Sequence, residues 1–318
     1  MKRSMRVLSL VMSLLLFVAL LPVDAKAADE EYQDAQIISA GSQQGLFPGG
    51  SVSNEASDVT TYTPSSSSGL MLIMNADGKN WILPLADNTG KTLDYKVTSC
   101  TSSDTGIATV KVVDGKCVAT SKKAGIFTVT IRSSSCNTVW NVLSRFTDVT
   151  KTGDYFYTPI YWALNYGITT GTSATKFSPY GACTRAQIVT FLYRFANSPA
   201  VASTTYNPFT DIKSSDYYYK PVLWAYNNGI TTGTSPTTFS PNKACTREQC
   251  VTFLWRYKGK PSASASSKFT DVSSSQYYAQ AVSWAVDKGV TVGVSSTKFG
   301  VGQKCARGQI VTFLYRCP

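Results

Sequence analysis

Three arginines are the residues of this sequence whose position most directly suggests chemistry. Arg185, Arg247 and Arg307 each lie in the first turn of a predicted helix, where a cation opposes the helix dipole and costs a few tenths of a kcal/mol. With an anion bound, the guanidinium and the free N–H groups of that turn would converge on it. The pattern predicts three anion sites, and we expect Arg185→Ala to weaken binding but not stability. An ordinary solvated arginine is the alternative.

The side chains needed for most hydrolytic chemistry are missing. The chain has no histidine, so Ser-His-Asp and Cys-His arrangements and imidazole metal sites are excluded. Acids are few, and Glu248 is the only glutamate in residues 146–318, which disfavours paired carboxylates for glycoside chemistry. The eight cysteines show no CxxC spacing, so most are expected to be structural. The sequence predicts a protein that is not an enzyme and needs neither metal nor cofactor.

The positive charge is concentrated in one half of the chain. Of the formal net charge of +11, residues 146–318 carry 17 Lys/Arg and 7 Asp/Glu, which is +10, whereas residues 28–145 carry 9 and 11, which is −2. An excess of this kind favours an anionic partner. Nucleic acid is one candidate partner, whereas an exported protein more often meets acidic wall polymers or lipid headgroups. A merely solubilising charge is the alternative.

The basic half repeats one unit three times. The tripeptide Phe-Thr-Asp begins at residues 146, 209 and 269, a tryptophan follows at 162, 224 and 284, and Cys-(Thr/Ala)-Arg begins at 183, 245 and 305. Each unit is predicted to be helix, loop, helix. A glycine at 167, 229 or 289 ends the first helix, and Thr184 with Gln187 forms a capping box at the second. One unit cannot bury its apolar stripes alone, so three are expected to share a core.

The residues before the repeats have other patterns. Residues 1–27 combine a basic start, an apolar run and a small-x-small site, which predicts a signal peptide and no membrane span in the mature chain. Residues 28–68 are polar and predict a flexible segment. Residues 69–145 alternate short apolar runs with turn residues, which predicts a small β-sandwich.

These motifs resemble known families. The phrases FTDV, GITTG, KFSP and TRAQ resemble S-layer homology repeats over residues 146–207, 208–267 and 268–318. The segment TSSDTGIATVKVVDGKCVATSKKAGIFTVTI resembles the group 2 bacterial immunoglobulin-like domain. Together they imply an Ig-like β-sandwich followed by an all-α pseudo-threefold bundle.

The first resemblance also implies a function. S-layer homology repeats hold a polysaccharide linked to peptidoglycan, which commonly carries pyruvate ketals. The residues carried over are the Asp of FTD, an aromatic at the head of the first helix and the Arg of TRAQ: Asp148, Tyr155, Arg185, Asp211, Tyr217, Arg247, Asp271, Tyr277 and Arg307. Tyrosine stands where the family usually has tryptophan. The third unit has Ala306-Arg307-Gly308 and lacks FSP, which predicts the weakest site there.

The implied protein is a non-catalytic cell-surface protein, secreted and anchored to the wall by an anionic, pyruvylated secondary polysaccharide. The alternative is a surface adhesin whose Ig-like domain or aromatic grooves bind a host or matrix ligand. Both functions are compatible with the same fold, so the sequence alone leaves them open.

Overall fold

A computed structural model describes residues 31–39, 59–64, 69–202, 204 and 206–318. The predicted signal peptide lies outside these residues. Within them, no helix is both long and apolar enough to cross a membrane.

The described residues of the N-terminal part form ten strands in two sheets. In chain order they are β1 Tyr32–Asp34, β2 Gln36–Ser39, β3 Thr60–Tyr62, β4 Leu70–Asn75, β5 Asn80–Leu83, β6 Val97–Ser102, β7 Ala108–Val113, β8 Lys116–Ser121, β9 Gly125–Ser133 and β10 Cys136–Arg145. One sheet has the order β1-β5-β8-β7. The other has the order β2-β4-β10-β9-β6, with β3 also paired to β10.

The centre of the larger sheet is the antiparallel pair β9–β10, in which buried residues alternate with half-exposed ones as expected for strands with one face against a core. The fully buried Trp140 anchors that core, and its indole N–H donates to the Pro84 carbonyl oxygen at 2.8 Å. Short strands β1 to β3 lie within residues 28–68, for which the sequence predicts a flexible segment. Each of the three is fixed by hydrogen-bonding to a strand of the later part, β5, β4 or β10.

The repeat region contains six helices, two in each repeat. They are α1 Tyr157–Asn165, α2 Arg185–Phe195, α3 Tyr219–Asn227, α4 Arg247–Tyr257, α5 Ala279–Asp287 and α6 Arg307–Arg316. The predicted stop glycines have positive φ, 65° at Gly167 and Gly229 and 70° at Gly289, a conformation that a side chain would oppose. The predicted capping box forms at α2, where Thr184 Oγ1 accepts from the Gln187 N–H at 3.3 Å and Gln187 Oε1 accepts from the Thr184 N–H at 3.1 Å.

The prediction of an all-α bundle for the repeats is wrong, because extended backbone joins them at the centre. The Cys183 N–H donates to the Cys305 carbonyl, Cys305 to Cys245, and Cys245 to Cys183, each at 2.8 Å. Isolated β-bridges pair residues 182 with 306, 184 with 244 and 246 with 304. This ring satisfies backbone groups that would otherwise be buried without partners. The chain as a whole is therefore mixed α/β.

The β-rich part and the first repeat meet directly. Leu143 of β10 and Phe146 belong to the same buried cluster as the repeat helices. The Ala124 N–H donates to the Ala174 carbonyl at 2.8 Å. Arg145 at the end of β10 also donates through Nη1 to the Thr150 carbonyl of the first repeat at 3.2 Å. These contacts fix the first repeat to the sheets.

Candidate functional site

The three aspartates carried over from the family serve the protein's own backbone. Asp148 Oδ1 accepts from the Phe177 N–H at 2.9 Å, and its Oδ2 accepts from the Ser178 N–H at 2.8 Å. The same arrangement recurs in the other repeats, at Asp211 with Phe239 and Ser240 and at Asp271 with Phe299, Gly300 and Val301. Each carboxylate thus shapes the loop between the two helices of its repeat.

This aspartate gives the fold a testable pH dependence. Burial alone would raise the pKa of Asp271, but three backbone N–H donors outweigh it and hold the pKa below the ordinary carboxyl value. The stabilisation is therefore present above the unfolded carboxyl pKa of about 4 and is lost as pH falls through the lower folded value. We expect Asp271→Asn to lower the melting temperature at pH 7 by about 4 °C. The difference from the parent should shrink by pH 3.

Thermal denaturation of both chains at pH 7 and pH 3 tests this expectation. The control is Asp287→Asn, which changes an exposed acid at the end of α5 in the same repeat. A loss of stability for Asp271→Asn that is equally large at both pH values would contradict the role of the ionised carboxylate.

The three arginines are buried rather than solvated, with 4%, 3% and 4% of their surface exposed at Arg185, Arg247 and Arg307. Each reaches into the loop of the next repeat around the ring. Arg185 Nε donates to the Phe239 carbonyl at 2.9 Å, Arg247 to Phe299 at 3.0 Å and Arg307 to Phe177 at 2.9 Å. The aspartate and the arginine therefore hold one loop from two sides, and the arginine ties neighbouring repeats together.

Aromatic rings enclose each guanidinium. The Arg185 guanidinium carbon lies 4.9 Å from the centroid of Phe239 and 5.4 Å from that of Phe253, within cation–π range. The other two arginines have equivalent pairs of rings. Burial lowers the pKa of Arg185 and of Arg307. Arg185 therefore makes core contacts, so it is not the ordinary solvated arginine that the sequence left as an alternative, and its replacement by alanine is no longer expected to leave stability unchanged.

The tyrosine and arginine of one repeat do not share a site. Arg185 lines a cavity of about 410 Å³ with Arg256 of the second repeat and Tyr277 of the third. Tyr155 of the first repeat is equivalent to Tyr277. Burial raises the pKa of Tyr155, and the charges of Arg247 of the second repeat and Arg316 of the third act to lower that pKa. Burial likewise raises the pKa of Tyr217, and Arg307 and Arg194 lower it. Each groove thus draws on three repeats.

These grooves include arginines to which the sequence assigns no function. The last turn of the second helix of each repeat carries an arginine, Arg194, Arg256 or Arg316, where a cation suits the helix dipole. Arg194 Nη1 donates to the Ile168 carbonyl and Arg256 Nη1 to the Ile230 carbonyl, both at 3.2 Å. These arginines recur at spacings of 62 and 60 residues, as Arg185, Arg247 and Arg307 do. This recurrence in the sequence could have identified them as groove residues.

The comparison with protein families decides the identity of these units. The model of the S-layer homology domain matches residues 145–189, 208–249 and 268–311. Residues 145–311 carry three S-layer homology repeats. The S-layer homology repeats and the surface-protein relatives below make this a cell-surface, cell-wall-associated protein.

Three relatives share parts of the chain. An endoglucanase of Bacillus sp. (strain KSM-635) is 38% identical over 118 residues, which cover 35% of this chain and 11% of that protein. The surface-layer 125 kDa protein of Lysinibacillus sphaericus is 27% identical over 111 residues, 35% of this chain and 9% of the other. A cell surface protein of Thermoanaerobacter kivui is 29% identical over 136 residues, which cover 41% of this chain and 18% of that protein. The chain thus spans at most 18% of any of them.

Proposed function

We propose that the three S-layer homology repeats bind an anionic, pyruvylated secondary polysaccharide of the cell wall and thereby hold this protein at the surface without catalysing a reaction. One observation carries the proposal. The cavity of about 410 Å³ places a buried arginine, a second arginine and a tyrosine from three different repeats around one space, and the charges of the equivalent arginines act on Tyr155 and on Tyr217. A guanidinium binds carboxylates strongly, and two arginines in a groove favour an anionic over a neutral sugar.

The tyrosines supply a surface for a sugar ring. Tyr155, Tyr217 and Tyr277 are 52%, 61% and 57% exposed, so a large part of each ring is open to a ligand. Each packs edge-on against its neighbour in sequence, at centroid distances of 5.0, 5.0 and 5.1 Å. This packing limits the motion of the ring and lowers the entropy lost when a sugar stacks on it.

The β-rich part is the basis of the second candidate function. We infer that it is the group 2 Ig-like domain that the sequence resembles, and that it spaces or presents the protein above the wall. A cavity of about 620 Å³ lies in this part, with the half-exposed Tyr95 and the charged side chains Asp94, Lys96 and Asp114 among its lining. Such a cavity favours an adhesin that takes a ligand there while the repeats hold the wall.

Wall binding tests the proposal. The full mature chain should sediment with walls purified from Lysinibacillus sphaericus and fail to sediment with the same walls after acid removal of secondary polymers. Because exposed charge pairs weaken as the Debye length shortens, binding should also fall between about 0.05 M and 0.5 M salt. Equal binding to stripped walls, or binding insensitive to salt, would contradict an anionic polymer as the ligand. Binding to stripped walls together with host matrix would favour the adhesin.

A further inference from the structure

The three grooves differ in their cations. Lys243 lines the groove of Arg185, Arg256 and Tyr277, which we name the Lys243 groove. Backbone hydrogen bonds identify the equivalent positions. The Lys243 carbonyl accepts from the Arg185 N–H, that of Gln303 from Arg247, and that of Gly181 from Arg307, each at 2.9 Å. Lysine therefore occupies this position in one groove, glutamine in the second and glycine in the third.

The buried arginines also differ in their free donors. Among the described residues, Nη2 of Arg185 and Nη2 of Arg307 are buried and have no hydrogen-bond partner. In contrast, Arg247 Nη2 donates to Thr291 Oγ1 at 3.3 Å. A buried charged donor without a partner is costly, and a bound anion would satisfy it. The grooves of Arg185 and Arg307 thus gain more from a carboxylate than the groove of Arg247.

The loop beside each groove continues this difference. In the Lys243 groove the lining includes Thr232, which offers a hydroxyl group to a sugar, and Thr234, whose hydroxyl donates to the Thr238 carbonyl at 3.1 Å and keeps its oxygen as an acceptor. The corresponding residues of the third repeat are Val292 and Val294, which are 69% and 46% exposed and cannot hydrogen-bond through their side chains. The first repeat has Thr170 and Thr172 at these positions, so Lys243 itself is what distinguishes the Lys243 groove from the groove of Arg307. The threonines and the unpartnered guanidinium nitrogen distinguish it from the groove of Arg247.

We propose that Lys243 makes the Lys243 groove the tightest of the three for a carboxylate of the wall polysaccharide. The inference rests on the proposed function of the repeats. The described residues that line the cavity include no acid, and the nearest acidic charges, Glu248 on Tyr277 and Asp211 on Arg185, act from outside the lining. The exposed ammonium of Lys243 reaches an anion as a point charge, while Arg185 fixes its orientation from below.

Titration of a soluble probe separates the grooves from the multivalent wall surface. The probe is the polysaccharide released from Lysinibacillus sphaericus walls by enzymatic digestion of the peptidoglycan, which leaves acid-labile ketals intact, used as released and after chemical reduction of its carboxyl groups. Calorimetry with the full mature chain should show binding to the first form and at least a tenfold loss with the second, since two or three charge-assisted contacts are lost. Lys243→Gln should bind the unreduced probe about fivefold more weakly, as expected for one exposed charge.

Lys288→Gln is the matched control, because it removes the same charge from an exposed position just after α5 in the third repeat. It should bind like the parent. Lys243→Gln should keep the parental melting temperature, because Lys243 contacts Arg185 through its backbone carbonyl, which the substitution leaves in place.

The outcomes are distinguishable. If the parent binds only the unreduced probe and Lys243→Gln matches it, the role of Lys243 is refuted and the proposed function stands. Equal losses for Lys243→Gln and Lys288→Gln would refute it too, because they would show a general charge effect. A parent that ignores both forms of the probe refutes the proposed function and this inference with it.

Discussion

Deleting the third repeat, residues 268–318, is expected to leave the first two repeats without a cooperative fold. The central ring needs all three repeats, since the Cys183 N–H donates to Cys305 and the Cys305 N–H to Cys245. Helix α6 also buries Ile310, Phe313 and Leu314 and packs against α1. Burial of each such side chain contributes about 1.5–3 kcal/mol to stability. The stability lost with the three of them approaches the free energy of unfolding of a whole domain, which is about 5–15 kcal/mol.

Near-ultraviolet circular dichroism during heating tests this, with the chain ending at residue 267 compared with the full mature chain. The β-rich part serves as an internal control, because the indole of its Trp140 reports on a core that the deletion does not touch. The expected result is a transition from the β-rich part alone and exposed apolar surface that binds a hydrophobic dye. A sharp transition of the remaining two repeats near the parental temperature would show that the ring is dispensable.

The second large effect is expected at the buried arginine of the first repeat. Arg185→Ala should destabilise the repeats by about 2 kcal/mol, because it removes a hydrogen bond to Phe239 and contacts with two aromatic rings. Relief of a buried cation offsets part of this loss. Arg185→Lys should recover little, since an ammonium cannot reproduce the planar stacking together with the Nε–H donor.

Urea denaturation of the full chain, followed by fluorescence, measures these differences. Arg194→Ala is the matched control, because it removes an arginine from the same helix whose side chain is only half-buried. Its cost should be clearly smaller. An Arg185→Ala variant as stable as the parent would show that the stacked guanidinium contributes nothing to the fold. Binding losses in Arg185→Ala count as evidence about the ligand only when the variant is shown to be folded.

The sequence by itself determined the local elements and the repeat. Stop glycines and the Thr184 cap act within one helix turn, so the residues alone specify them. The spacing of 60 to 63 residues likewise identified three similar units and their resemblance to S-layer homology repeats, and a family comparison supports that resemblance. The preceding Ig-like assignment stays a prediction.

Only the tertiary structure decided which side chains share a groove. Arg185, Arg256 and Tyr277 come from three different repeats, and no spacing along the chain fixes how the repeats are arranged around their axis. The burial of Arg185 could not be predicted from the sequence either. The sequence around a first-turn arginine is the same whether the side chain faces water or two phenylalanines of other elements. The β-bridged centre also joins extended residues more than 50 positions apart. Local propensities carry no information about such pairings, which depend on the packing of the whole ring.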